Sequence, residues 1–292
     1  MKYLHTLYLP SERAEDATLT EEKRTIYSTH YPFRLFPNKG LSKIDFDDIT
    51  IFYGSNGSGK TTLLNIIGEK MNILRHSEFS SSGFFDRYIE LCELEGSVPS
   101  EVSQFLTSDD VFDYVMNMRY LNRGIDNHRE ELIKSYTDIR GRVEASPAYG
   151  QLHGLEDYDR FKEVCDATGK NKTVSKYVKA KLNRNIDMFS NGETAMRYFT
   201  EHIDRDAIYL LDEPENSLSI QLQLELKKYI EDTARFYNCQ FVISTHSPVL
   251  LALSNAKIYD LDECPVVCKK WTELPNVRKY FDFFMEHKDE FI

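Results

Sequence analysis

Residues Gly54-Ser55-Asn56-Gly57-Ser58-Gly59-Lys60-Thr61-Thr62 combine glycines, a lysine and hydroxyls in the pattern G-x-x-x-x-G-K-[ST]. Glycines let a backbone curl so tightly that successive N–H groups point inward and form an anion-binding nest. Lys60 would reach the β- and γ-phosphates of a nucleotide, and the Thr61 hydroxyl would ligate Mg²⁺. A second chemical group, Asp212-Glu213, ends the apolar run Ala207-Ile208-Tyr209-Leu210-Leu211. A carboxylate at a strand tip can hold Mg²⁺ through water, as hard oxygen ligands do. The adjacent Glu213 is placed to orient or deprotonate a water attacking the γ-phosphate. The plainer alternatives are a glycine-rich turn with no ligand and two acids that merely end a strand. Both signals in one chain, each with the right flanks, argue against them.

Such groups need a scaffold that brings them together. Ile49-Thr50-Ile51-Phe52-Tyr53 reads as a buried strand, and Thr62-Leu63-Leu64-Asn65-Ile66-Ile67 opens a helix expected to run to about Arg75. Strand, loop, helix is the context the phosphate loop requires, and the helix N-terminus adds partial positive charge. Residues 207–211 and 240–244 read as fully buried parallel strands, with a helix over 222–236 between them. This alternation indicates a doubly wound parallel sheet, whose ligands sit at the carboxyl ends of the strands.

Elsewhere, residues 2–9 look like a strand, 11–25 like a charged surface excursion, and 77–83 like a loop. Tyr31 to Gly40, aromatic and broken by prolines, reads as an irregular segment or edge strand. Tyr31, Phe33 or Phe36 could stack on an adenine or simply cover the sheet. Residues 109–184 are mostly helical, with helices near 111–121 and 129–142 and a break at Ser146-Pro147. They form a compact helical lobe (109–185) inserted into an α/β core (1–108 and 186–292). The span 276–287 reads as an amphipathic helix anchored by Trp271.

The chain has 292 residues, 41% of them hydrophobic, which is ample for a packed core. No apolar run approaches the ~20 residues of a membrane helix, and the first ten residues are too short and polar for a signal peptide. A cytoplasmic protein with no membrane partner is the expectation. Five scattered cysteines suit free thiols in a reducing compartment, with Cys264 and Cys268 read as packing residues. A net charge of −11 argues against wholesale wrapping of nucleic acid. A local run, Lys170, Lys172, Lys176, Lys179, Lys181 and Arg184, could still meet nucleic acid or an acidic partner, or be a solvated helix face.

Four segments together resemble the ATP-binding-cassette (ABC) class of ATPases. They are Gly54–Thr62, Phe189-Ser190-Asn191-Gly192-Glu193, Tyr209 to Ser219, and Ile243-Ser244-Thr245-His246-Ser247-Pro248. The match is closer to the soluble SMC/RecF-like branch, and to bacterial stand-alone ATPases of the AAA/ABC kind, than to transporters. The resemblance implies a P-loop NTPase fold of the ABC-head type, ATP and Mg²⁺ as cofactors, and ATP hydrolysis. It also implies an ATP-driven homodimer, in which Ser190, Asn191, Gly192 and Glu193 of one copy close over the γ-phosphate held by the other. Ser217 matches the segment that crosses that interface, and His246 the switch histidine that contacts the γ-phosphate. Asn191 stands where a glycine is usual. For the extra Mg²⁺ contact of the family's glutamine loop, Gln104 is the candidate and Asp109 the runner-up.

The leading expectation is an ATPase that couples dimerisation to a protein partner encoded nearby, in DNA repair or phage defence. A regulatory ATP switch acting on a toxin or nuclease with negligible turnover is the alternative, and a transporter's ATPase subunit comes third. With no Asn-Lys-x-Asp motif to read guanine, a GTPase is not expected.

Overall fold

In the computed structural model, the described residues are 2–21, 29–79, 81–97, 100–152, 154–169, 173–182 and 190–291. The chain begins β1 (Leu4–Tyr8), α1 (Glu12–Glu21), β2 (Lys43–Asp45), β3 (Ile49–Tyr53), α2 (Lys60–Met71) and β4 (Leu74–Arg75). It continues α3 (Phe85–Leu91), β5 (Glu93–Gly96), β6 (Gln104–Thr107), α4 (Ser108–Ala145), α5 (Tyr158–Thr168), α6 (Val174–Lys181) and α7 (Asn191–His202). It closes with β7 (Ile208–Asp212), α8 (Ile220–Phe236), β8 (Gln240–Ser244), α9 (Pro248–Leu251), β9 (Lys257–Asp260), β10 (Val267–Lys269) and α10 (Pro275–Glu286).

Two compact units divide these elements: residues 1–113 with 190–292, and residues 114–189. In the first, the described strands make two sheets. The larger runs β10-β9-β3-β8-β7-β6-β4, parallel throughout except for the antiparallel β10 at one edge. The smaller is antiparallel, β2-β1-β5. Strands β3 and β8 are buried at every position, which is why they read as unbroken apolar runs. Helix α2 packs Leu63, Leu64, Ile66 and Ile67 into a core with Phe52, Phe105, Leu210 and Val242. Each such side chain contributes about 1.5–3 kcal/mol by leaving water.

Gln240, at the start of β8, joins the two sheets. Its Oε1 accepts from the Tyr3 and Leu4 N–H groups at 2.8 Å, and its Nε2 donates to Leu4 O at 2.8 Å and Asp47 O at 3.1 Å. A buried amide with every position used holds β1 in register with the core.

The second unit has its own small core, built from Leu132, Tyr136, Ile139, Val164, Ala167, Tyr177 and Val178. On α6 the apolar pair Tyr177 and Val178 is buried while Lys176, Lys179 and Lys181 face solvent, the pattern of a solvated helix face. Lys170, Lys172 and Arg184 lie outside the described residues.

Several local expectations are corrected. Helix α2 stops at Met71, because Asn72 turns left-handed (φ 53°) and its N–H closes on Glu69 O and Gly68 O; residues 74–75 then pair with β6. Much of the supposed excursion at 11–25 is the helix α1, whose Glu15 is buried and accepts from the Arg34 backbone N–H. The two helices expected within 111–142 are one 38-residue helix, α4. Cys264 and Cys268 are exposed. Leu274 and Val277 anchor α10, while Trp271 is 40% exposed. The same helix leaves Tyr280, Phe281, Phe283 and Phe284 each about half exposed.

Candidate nucleotide site

The phosphate loop joins the carboxyl end of β3 to the first turn of α2. Gly59 makes the turn into the helix at φ 102°, a conformation L side chains rarely adopt, and any Cβ there would stand 3.1 Å from the Phe36 ring. Lys60 is almost fully buried at its head; its Nζ donates to Gly54 O (2.9 Å) and Ser55 O (3.3 Å) and lies 3.6 Å from Glu213 Oε1. The loop is clasped from β9's end by Asp262. Its carboxylate accepts from the Ser55 N–H and the Ser55 hydroxyl, both at 2.8 Å.

Register places the carboxylates. Parallel pairing sets Asp212 beside Ser244 on one side and Thr107 on the other, so the tips of β7, β8 and β6 meet. Asp212 Oδ1 accepts from the Thr61 hydroxyl at 3.1 Å and from the Ser244 hydroxyl. Burial raises the Asp212 carboxyl above its usual range, and these two hydroxyls pull it partly back. The next residue, Glu213, has φ 48°, unusual for a side-chain-bearing residue and typical of strained functional turns. Its N–H is held by Ser244 O at 3.0 Å, and its Oε2 by Asn216 Nδ2 at 3.2 Å.

His246 follows β8. Its Nδ1 lies 3.5 Å from Glu215 Oε1 and 3.8 Å from Glu213 Oε1, with the side chain 48% exposed. Both carboxylates lie on the Nδ1 side of the ring, which leaves Nε2 as the nitrogen available to a nucleotide.

A cleft of about 430 Å³ is lined by Tyr31, Leu35, Asn56 to Thr62, Ser108, Asp212 and Glu213. That volume is within the range of small-molecule sites. Tyr31 lines it with its hydroxyl bonded to Thr62 Oγ1, whereas Phe33 and Phe36 are buried in the core. The donor set suits ATP with Mg²⁺: backbone N–H groups and a buried ammonium for phosphate, and hydroxyl and carboxylate oxygens for a hard cation.

Ser190 to Glu193 do not line this cleft. They form the N-terminus of α7 as a capping box. Ser190 Oγ accepts from the Glu193 N–H at 3.3 Å, and Glu193 Oε2 accepts from the Ser190 N–H at 2.8 Å. The Ser190 hydroxyl and N–H hold the Glu193 carboxyl below its usual range. Ser190, Asn191 and Glu193 are exposed. A Cβ on Gly192 would lie 2.6 Å from Leu222 Cδ1 and 3.4 Å from Ser217 O, so glycine is what lets α7 approach the turn bearing Ser217. Ser217 is itself exposed, at φ 78°. Phe189 lies outside the described residues.

Gln104 is not brought to the site. It begins β6 opposite Tyr209, while Thr107 at the other end pairs with Asp212, so about 10 Å of strand separates it from the carboxylates. Asp109 is exposed on the first turn of α4, and Ser108 is the residue of that segment that lines the cleft. Two participants escaped the sequence reading. Glu215 stood in plain view within Pro214-Glu215-Asn216-Ser217, whereas Asp262 follows no motif at all.

A family profile described as AAA ATPase domain matches residues 184–251, from just before Ser190 to beyond His246. This match and the site geometry support an ATPase. Among solved structures, the chain is similar to an Smc head domain with an extended coiled coil bound to the C-terminal domain of ScpA, from Pyrococcus furiosus. Identity is 14%, coverage 99% of this chain and 100% of that one, and the TM-score 0.46. The SMC head domain from Thermotoga maritima is 13% identical, with coverage of 92% and 99% and a TM-score of 0.38. A dimeric ATP-binding cassette in a post-hydrolysis state, bound to ADP and phosphate, is 14% identical, with coverage of 80% and 90% and a TM-score of 0.36. Scores this low leave the assignment to the site geometry and the family match. Comparison with curated proteins finds no match. Among the described residues, no helix is long and apolar enough to cross a membrane.

Proposed function

We propose that this ATPase works as a homodimer that closes around two ATP·Mg²⁺ and opens on hydrolysis, passing the change to a partner protein. One observation carries the reading: the cleft holds the phosphate loop and carboxylates of one copy, while the exposed Ser190–Glu193 helix start lies outside it. A second copy would supply that helix start, with its hydroxyl and its dipole, to the γ-phosphate.

Within one copy, the loop amides and Lys60 would bind the β- and γ-phosphates, and Thr61 and Asp212 would hold the cation. Bound Mg²⁺ supplies charge neutralisation for the phosphate oxygens. Glu213, braced by Asn216 and by Ser244 O, orients the attacking water and takes its proton. His246 Nε2 contacts the γ-phosphate. The partner and its setting, DNA repair or phage defence, follow from the resemblance to the soluble branch of the class.

Glu213→Gln tests the reading. It keeps the side chain's shape and removes the base, so ATP binding should persist while turnover falls, trapping a dimer visible by light scattering. A variant that stays monomeric with ATP and hydrolyses it at the parental rate overturns the proposal. Tight ATP binding with parental turnover below about 10⁻³ s⁻¹ would favour a switch instead.

A further inference from the structure

Glu215 is 93% buried in the turn after β7 and gathers the segment that follows β8 onto one carboxylate oxygen. Its Oε1 accepts from the Thr245 hydroxyl at 2.7 Å, the His246 N–H at 2.9 Å and the Ser247 N–H at 3.2 Å. Thr245 and Ser247 are themselves buried. The segment is also fixed downstream, where Ser247 Oγ donates to Gln223 Oε1 at 2.7 Å and accepts from the Val249 and Leu250 N–H groups. His246 therefore hangs from a backbone whose placement is set by Glu215, with Nδ1 at 3.5 Å from the same oxygen.

We infer that Glu215 is a positioning residue for hydrolysis: it sets where His246 stands relative to Glu213, and links that placement to the turn carrying Ser217. This rests on the proposed contact of His246 with the γ-phosphate. The link is short. The Asn216 N–H donates to Glu213 O and the Leu218 N–H to Glu215 O, so Glu213, Glu215 and Ser217 belong to one hydrogen-bonded turn. Ser217 O lies under Gly192 at the head of α7. A displacement of α7 in a closing dimer would thus reach His246 through two contacts and one carboxylate. Three donors on one oxygen make a charge-assisted clamp, stronger and better directed than a neutral acceptor would give. The second oxygen, Oε2, is buried and takes no hydrogen bond among the described residues, so recognition is all through Oε1.

The test is a set of variants in the full chain, read by steady-state ATPase kinetics, nucleotide affinity and melting temperature. Glu215→Leu fills the volume and removes the acceptor. A misplaced reacting group costs about 100-fold, so kcat should fall on that order while KM and ATP affinity stay within about twofold. Glu215→Gln keeps Oε1 and should recover kcat to within about fivefold of the parent, a neutral acceptor being the weaker one. Combined with His246→Ala, Glu215→Leu should add less than about threefold, because residues acting as a unit are not additive. If Glu215→Leu does not fold, Thr245→Val loosens the same clamp from the donor side and should lower kcat with KM unchanged.

Additive losses in the double variant, a Gln variant as damaged as the Leu variant, or a change confined to KM would each overturn the inference. A parental kcat for His246→Ala would instead show that the His246 reading is wrong, and the inference would fall with it.

Discussion

Removing Asp262 should weaken ATP binding without slowing the chemical step. The carboxylate touches neither the cleft nor the other acids; it holds the Ser55 N–H and hydroxyl, both at 2.8 Å. That grip fixes residues Gly54 and Ser55, whose carbonyls in turn hold Lys60 Nζ. Hydrogen bonds to a charged acceptor contribute about 1.5–3 kcal/mol when shielded, but Ser55 and Asp262 are exposed, so the pair is worth about 1–2 kcal/mol. If the loop must be ordered before phosphate binds, that energy appears in affinity, and Asp262→Ala should raise the Kd for ATP about 5- to 30-fold. Ser55→Ala removes one bond and keeps the other, so its effect should fall between parent and Asp262→Ala. Titration calorimetry gives both constants, and saturating-ATP turnover gives kcat, expected within about twofold of the parent because the clasp acts before chemistry. An unchanged Kd in Asp262→Ala, or a loss confined to kcat, would refute the reasoning.

Other consequences are as direct. Burial raises the Glu15 carboxyl, with the Arg34 backbone N–H pulling it partly back, so the folded chain holds that proton more tightly than the unfolded one. Stability linked to it is fully present below the unfolded pKa and declines as pH rises through the folded value. Glu15→Gln keeps an acceptor for Arg34, and should raise Tm at pH 8 by about 2–4 °C and flatten that decline in pH-dependent melts. Gly192→Val would force a branched side chain against Leu222 and Ser217 O at about 1–3 kcal/mol; light scattering should show less ATP-dependent dimer while one-copy ATP affinity stays at the parental value. Asp212→Asn leaves the Ser244 and Thr61 hydroxyls an acceptor but removes the charge for Mg²⁺, and should abolish the Mg²⁺-dependent part of turnover.

Much of this was legible from residue order because buried parallel strands advertise themselves. Ile49–Tyr53, Ile208–Leu211 and Gln240–Ser244 are apolar on both faces, and the sharp motifs fall at their ends. What escaped depended on extent and on long-range contact. Gln104, read as the candidate of a glutamine loop, begins a strand instead, since nothing local reveals that Gln104 to Thr107 pair with β7. The two helices expected near 111–121 and 129–142 are continuous through Gly124, since a single glycine costs only about 1 kcal/mol, which a 38-residue helix absorbs. Asp262 reaches Ser55 across most of the chain, and a lone acid after a strand has no signature until the loop it holds is seen.

The large sheet ends in a three-residue β10 on one side and a two-residue β4 on the other. Edges so short offer few free backbone groups for another strand to pair with. Such edges disfavour the joining of large sheet to large sheet, the route that leads to open-ended fibres. In the proposed dimer, association would fall to helix ends and turns, which can meet in closed pairs and separate again.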